Sequence, residues 1–178
     1  MIEARAIIEN IDETRKMLES LGAVLDGEYS FKDVIFVPRE GNYDLNKDFL
    51  RARVYIKNNW YTKKVVLVRK QAEFKDVGKT GKVILKEEFD SEKEANGFVE
   101  AEFGQEFKRG FEYERVGWQY NLESSRIFVE DIKGYKSSIE IEADTQDQIK
   151  YLFQKIGIVK ELKDSLPEIM RKTYGTRN

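Results

Sequence analysis

The sequence contains neither cysteine nor histidine. That double absence removes thiolate nucleophiles, cysteine-ligated zinc, imidazole bases and the Ser-His-Asp arrangement. Long apolar runs are missing too, the longest being a handful of residues where a membrane span needs ~18. No signal peptide opens the sequence, so the expectation is a soluble, cytoplasmic protein with no membrane partner. Nor is there an excess of one charge: 31 Lys and Arg stand against 33 Asp and Glu, for a net charge of −2. A partner for duplex nucleic acid would carry basic excess, so none is expected, and any anion site must arise from local segregation of charge. What survives is carboxylate chemistry with oxygen-ligated hard ions such as Mg²⁺ or Mn²⁺.

The 178 residues fit one domain by length. Within it, Arg126 to Glu142 (R-I-F-V-E-D-I-K-G-Y-K-S-S-I-E-I-E) reads as two strands around a turn at Lys133-Gly134-Tyr135-Lys136. Strand alternation puts Ser138, Glu140 and Glu142 on one face with Ile139 and Ile141 on the other. Arg126, Phe128 and Glu130 share a face in the same way. Three carboxylates on one surface are unfavourable unless a cation, protein or metal, answers them. Taken alone, the hairpin fits an ordinary solvated face better than a cation site.

The rest of the chain reads as follows. A first strand sets Glu3, Arg5 and Ile7 against Ile2, Ala4, Ala6 and Ile8. A helix starts at Asn10, with Glu13 three residues on, and closes at Gly22. Strands follow at Tyr29 to Val37, Phe49 to Ile56 and Lys64 to Lys70, with a turn at Asn58-Asn59. The second of these puts Arg51, Arg53 and Tyr55 on one face against Leu50, Ala52, Val54 and Ile56. Gln71 to Gly81 reads as a polar loop, and its Gly78-Lys79-Thr80 lacks the leading glycine of a phosphate-binding loop because position 73 is Glu. Lys82 to Phe89 is a strand, Ser91 with Glu94 opens a helix, and Phe107 to Leu122 is strand with a break near Gly117. Helices after Glu142, closing at Gly157, and from Ser165 to Gly175 complete the chain. The expected class is α+β: about eight antiparallel strands in a closed or nearly closed barrel, covering residues 1–143, with flanking helices that include 144–178. Charged faces turned inward would make its interior a polar tunnel.

These motifs resemble the CYTH superfamily of triphosphate tunnel enzymes, which includes class IV adenylate cyclases and thiamine triphosphatases. V-E-D-I-K-G-Y-K-S-S-I-E-I-E, ending at Glu142, aligns without a gap on L-D-x-V-x-G-L-G-x-F-x-E-I-E; L-R-A-R at Leu50 to Arg53 matches L-R-x-R, and Lys70 the lysine of L-T-x-K. The opening strand and the helix with L-E-S-L-G-A are similar to the cyclase-type subgroup. The resemblance implies that Arg51, Arg53, Lys70 and Arg126, with Arg5 and Arg115, bind substrate phosphates. It implies that Glu3, Glu130, Glu140 and Glu142 hold Mg²⁺ or Mn²⁺, with Glu130, Glu140 and Glu142 serving catalysis. Two departures stand out. Met1, Glu3 and Arg5 fall where the family has E-x-E-x-K, and Arg115, Gly117 and Tyr120 where it has K-x-R-x-x-Y. Lys82, Lys86 and Glu88 share a face with no assigned part.

The implied activity is metal-dependent hydrolysis of a nucleoside, thiamine or inorganic triphosphate by a monomer or homodimer. An adenylate cyclase forming cyclic AMP and pyrophosphate is the alternative, and a triphosphate-binding module with little turnover is a third reading.

Overall fold

A computed structural model describes residues 1–41, 43–57, 64–158 and 160–175. The turn expected at Asn58-Asn59 lies outside them. Strands β1 (Ile2–Ile7), β2 (Val24–Pro38), β3 (Asp48–Lys57), β4 (Val65–Phe74), β5 (Lys79–Phe89), β6 (Phe107–Leu122), β7 (Ser125–Ile132), β8 (Ser138–Ala143) and β9 (Glu161–Leu162) alternate with helices α1 (Ile11–Ser20), α2 (Glu92–Phe103), α3 (Gln146–Ile156) and α4 (Leu166–Gly175). The strands form one sheet in the order β5-β4-β3-β2-β6-β7-β8-β1-β9, and β5 also pairs with β1. That extra pairing, Ile2 with Thr80 and Glu3 with Lys79, closes eight strands into a ring. The two-residue β9 takes the rest of the same edge of β1, at Arg5 and Ala6. The expected α+β class, an antiparallel ring with flanking helices, is what the chain adopts.

The helices end where their caps dictate. The Asn10 side chain accepts from the Glu13 N–H at 3.1 Å, and α1 stops before Gly22 at φ +89°. Thr145 and Gln148 form a reciprocal capping box for α3, which closes on left-handed Gly157.

The chain divides into two compact units, with boundaries inside β2, β4, β5 and β6. Unit 1 holds residues 1–29, 73–80 and 115–163. Its core gathers Ala4, Ala6, Ile127, Val129, Ile139 and Ile141 from β1, β7 and β8 beneath Leu18 of α1 and Ile149, Leu152 and Phe153 of α3. Unit 2 holds residues 30–72, 81–114 and 164–178. There Val34, Phe36, Leu50, Ala52, Val65 and Leu67 pack against Ala95 and Val99 of α2. In both units helices cover the aliphatic face of the strands, so the charged residues alternate onto the opposite face.

Three sequence expectations need correction. Gln71 to Gly81 is not a loop: β4 runs on to Phe74 and β5 starts at Lys79, leaving a tight turn in which the Lys75 N–H donates to the Gly78 carbonyl at 3.0 Å. Polar residues suit these strand ends because much of their surface is exposed. β6 does not break at Gly117 but continues for 16 residues, since the glycine makes room for a neighbouring ring rather than a bend. β2 begins at Val24, five residues before the apolar run that signals it, because exposed Val24 and Leu25 run into Asp26-Gly27-Glu28 without the alternation that marks a strand.

Candidate metal and phosphate site

β8 lies between β1 and β7, and register does the positioning. Glu142 is opposite Glu3 on one side and Arg126 on the other; Glu140 is opposite Arg5 and Phe128; Ser138 is opposite Ile7 and Glu130. Opposed residues of antiparallel strands share a face. The carboxylates of Glu3, Glu140 and Glu142 therefore converge, each offering an oxygen within 4.8 Å of the others. Three hard oxygen donors suit a divalent ion such as Mg²⁺ or Mn²⁺. Cations frame this group: Arg126 Nη2 lies 2.6 Å from Glu142 Oε2, and Lys79 Nζ 3.6 Å from Glu3 Oε1.

One row further along the strands, Glu130 sits apart from that trio, at the centre of a buried network. It is 2% exposed, and its oxygens accept from Arg5 Nη1 at 2.5 Å, Arg115 Nη1 at 2.8 and 2.9 Å and the Tyr29 hydroxyl at 2.6 Å. Arg5 also donates to Ser138 Oγ at 2.6 Å and, through Nη2, to Glu140 Oε2 at 2.7 Å. Burial would push the Glu130 carboxyl up, but Arg115 and Arg5, helped by the Tyr29 hydroxyl, outweigh it and hold it at about 2. Burial and then the Glu130 charge drive the Tyr29 hydroxyl upward. Arg5 and Arg115, expected as phosphate contacts, are 6% and 5% exposed and gripped by Glu130.

Arg126, beside Glu142, is a third expected phosphate contact in unit 1, and unit 2 carries the remaining three. Arg53 grips fully buried Asp33 through Nε at 2.8 Å and Nη2 at 3.1 Å, and Arg51 Nη1 is 3.7 Å from the same carboxylate. The Arg53 guanidinium stacks on Phe31 at 3.8 Å, which fixes its plane. Each of these two arginines keeps nearly a fifth of its side chain exposed. Register places Lys70 opposite Phe49, on the face of Arg51 and Arg53, with its chain lying across Gly81. Lys86 and Glu88 pair at 3.4 Å on the surface, and Lys82 is exposed.

Four residues with a part here were given no role from the sequence. Asp33 had a visible signal, a carboxylate inside the apolar run of β2. Lys79 was set aside with the phosphate-loop pattern, yet its place next to Glu3 comes from the β1 and β5 pairing. Tyr29 and Ser138 had none beyond strand alternation.

No protein-family model matches the chain, and no curated protein matches it. Solved structures do. The PH1819 protein of Pyrococcus horikoshii OT3 superposes with a TM-score of 0.77 at 15% identity, covering 96% of this chain and 98% of that one. A candidate adenylyl cyclase from Hippeastrum, described as having a dominant triphosphatase activity, gives 0.69 at 18% identity over 96% and 95% of the two chains. A candidate adenylate cyclase from Vibrio parahaemolyticus gives 0.67 at 11% over 95% and 96%. At such identities the likeness shows the fold: an antiparallel ring shared with proteins named as adenylate cyclases. The antiparallel ring is the fold that the resemblance of the sequence motifs to the CYTH superfamily implies.

Proposed function

We propose that the protein is a metal-dependent triphosphatase acting on a small triphosphate. The observation that carries this reading is the convergence of Glu3, Glu140 and Glu142 with Arg126 and Lys79 beside them. Glu3, Glu140 and Glu142 would hold Mg²⁺ or Mn²⁺, an ion that neutralises phosphate charge and polarises the phosphoryl group under attack. Arg126 and Lys79 supply cations at the rim of the acidic group, and Arg5 holds Glu140 from behind. Arg51, Arg53 and Lys70 enter as further phosphate contacts on the strength of the sequence resemblance. Glu130 serves this reading as the counter-charge of Arg5 and Arg115, both its oxygens being occupied. With no Cys or His in the sequence, a water attacks the phosphorus directly and no covalent intermediate forms on either residue type.

The second reading, an adenylate cyclase in which a ribose hydroxyl replaces that water, is favoured by the name of the Vibrio structure, whereas the Hippeastrum protein is described with a dominant triphosphatase activity. One experiment separates them: purified protein with Mg²⁺ or Mn²⁺ and ATP, thiamine triphosphate or tripolyphosphate, the products being resolved. Orthophosphate is expected. Cyclic AMP with pyrophosphate would replace the first reading by the second. Saturable binding with unchanged substrate would make the chain a binding module. Glu142→Gln is expected to abolish the dependence on added ion, and Arg51→Ala to weaken tripolyphosphate binding in a calorimetric titration.

A further inference from the structure

Gly117 stands where the resembling pattern has an arginine, and the structure shows what uses the space. A Cβ built on Gly117 would come within 2.5 Å of both Cζ and Oη of Tyr29. The tyrosine ring lies flush against a backbone that carries no side chain, and any other residue at 117 would displace it. From that seat the Tyr29 hydroxyl donates to Glu130 Oε1 at 2.6 Å.

We propose that Tyr29 and Gly117 form a matched pair whose task is to orient Glu140, with Tyr29 a positioning residue that acts through Glu130 and Arg5. This rests on reading Glu3, Glu140 and Glu142 as a metal site. Arg115 Nη1 touches both Glu130 oxygens, at 2.8 and 2.9 Å, and so fixes the carboxylate only along that axis. The Tyr29 hydroxyl breaks the symmetry by claiming Oε1, which leaves Oε2 to accept from Arg5 Nη1. Ser138 Oγ accepts from the same Arg5 nitrogen at 2.6 Å. A guanidinium is planar, so two acceptors on Nη1 determine where Nη2 points. It points at Glu140 Oε2, 2.7 Å away. A donor that holds one oxygen of a ligating carboxylate decides how the group turns, and loss of such supports typically costs 10–100-fold in metal affinity.

Tyr29→Phe keeps the ring against Gly117 and deletes only the hydroxyl. The protein is titrated with Mn²⁺ alone, free ion being followed by electron paramagnetic resonance, at a temperature where circular dichroism shows both proteins folded. The expected result is saturable binding by the wild type and an affinity lower by roughly tenfold in the variant. Ser138→Ala, which removes the other acceptor on Arg5 Nη1, should shift affinity in the same direction. It serves as the second arm if Tyr29→Phe does not fold. A Tyr29→Phe protein that melts lower yet binds Mn²⁺ like the wild type has lost only a stabilising hydrogen bond, and overturns the proposal while leaving the metal reading intact. A wild type that binds no Mn²⁺ overturns both.

Discussion

Glu130 in unit 1 and Asp33 in unit 2 are both buried carboxylates between two arginines, and the resemblance ends there. The partners of Glu130, Arg5 and Arg115, are themselves buried, and a tyrosine hydroxyl completes the shell. The partners of Asp33, Arg51 and Arg53, each keep an exposed edge, and one of them lies on an aromatic ring. An arginine sunk with its counter-ion is part of the architecture, because withdrawing either charge strands the other in a poor solvent for ions. An arginine held at one edge by a buried carboxylate has its plane fixed while part of the side chain still meets solvent. The same residue type in the same alternating pattern is thus buried with its counter-ion in one unit and partly exposed in the other, where the proposed phosphate contacts lie.

The largest expected effect tests that division directly. Glu130→Ala leaves Arg5 and Arg115 buried without their central anion and should cost roughly 3–5 kcal/mol, read from urea denaturation. Acid supplies the same test without mutation. Because the Glu130 carboxyl sits at about 2 in the fold against an ordinary 4.5, its contribution is complete above pH 4.5 and disappears as pH falls toward 2. The loss amounts to roughly 3 kcal/mol, and Glu130→Gln should flatten that part of the stability profile relative to the wild type. Asp33→Ala should cost less, about 1–3 kcal/mol, since water reaches both stranded arginines. Its distinguishing mark is that tripolyphosphate binding survives, whereas Arg51→Ala weakens binding and leaves stability nearly unchanged. Equal losses from Glu130→Ala and Asp33→Ala would erase the distinction between the units.

Much of this was legible in the chain. Alternation in β1, β3, β7 and β8 sorted their charged and aliphatic faces, and the core of each unit lies on the face so assigned. The caps at Asn10 and Gly157 made helix ends local, hence readable, whereas the Thr145 capping box came only with the structure. What alternation cannot give is register. Only pairing shows that Glu3 meets Glu142 while Glu130, on a strand beside the same β8, falls opposite Ser138 and away from the acidic trio. Gly117 misled for a related reason: in sequence a glycine in a strand signals a bend or a close approach equally, and the Tyr29 ring that decides the matter is distant in the chain.

The smallest expected effect bounds the comparison from below. Lys86 and Glu88 carry full charges 3.4 Å apart on β5, with nearly half of each side chain exposed. Water screens such a pair and both chains lose freedom in forming it, so Lys86→Ala should change stability by no more than about 0.5 kcal/mol. It should also leave Mn²⁺ and tripolyphosphate affinities where they were. Set beside Glu130→Ala, this variant removes one partner of a single, longer and exposed ion pair instead of the centre of a short, buried network. If Lys86→Ala cost as much as Asp33→Ala, charge pairing as such would be stabilising this sheet, and exposure would lose its standing as the variable that separates the arginines around Glu130 from those around Asp33.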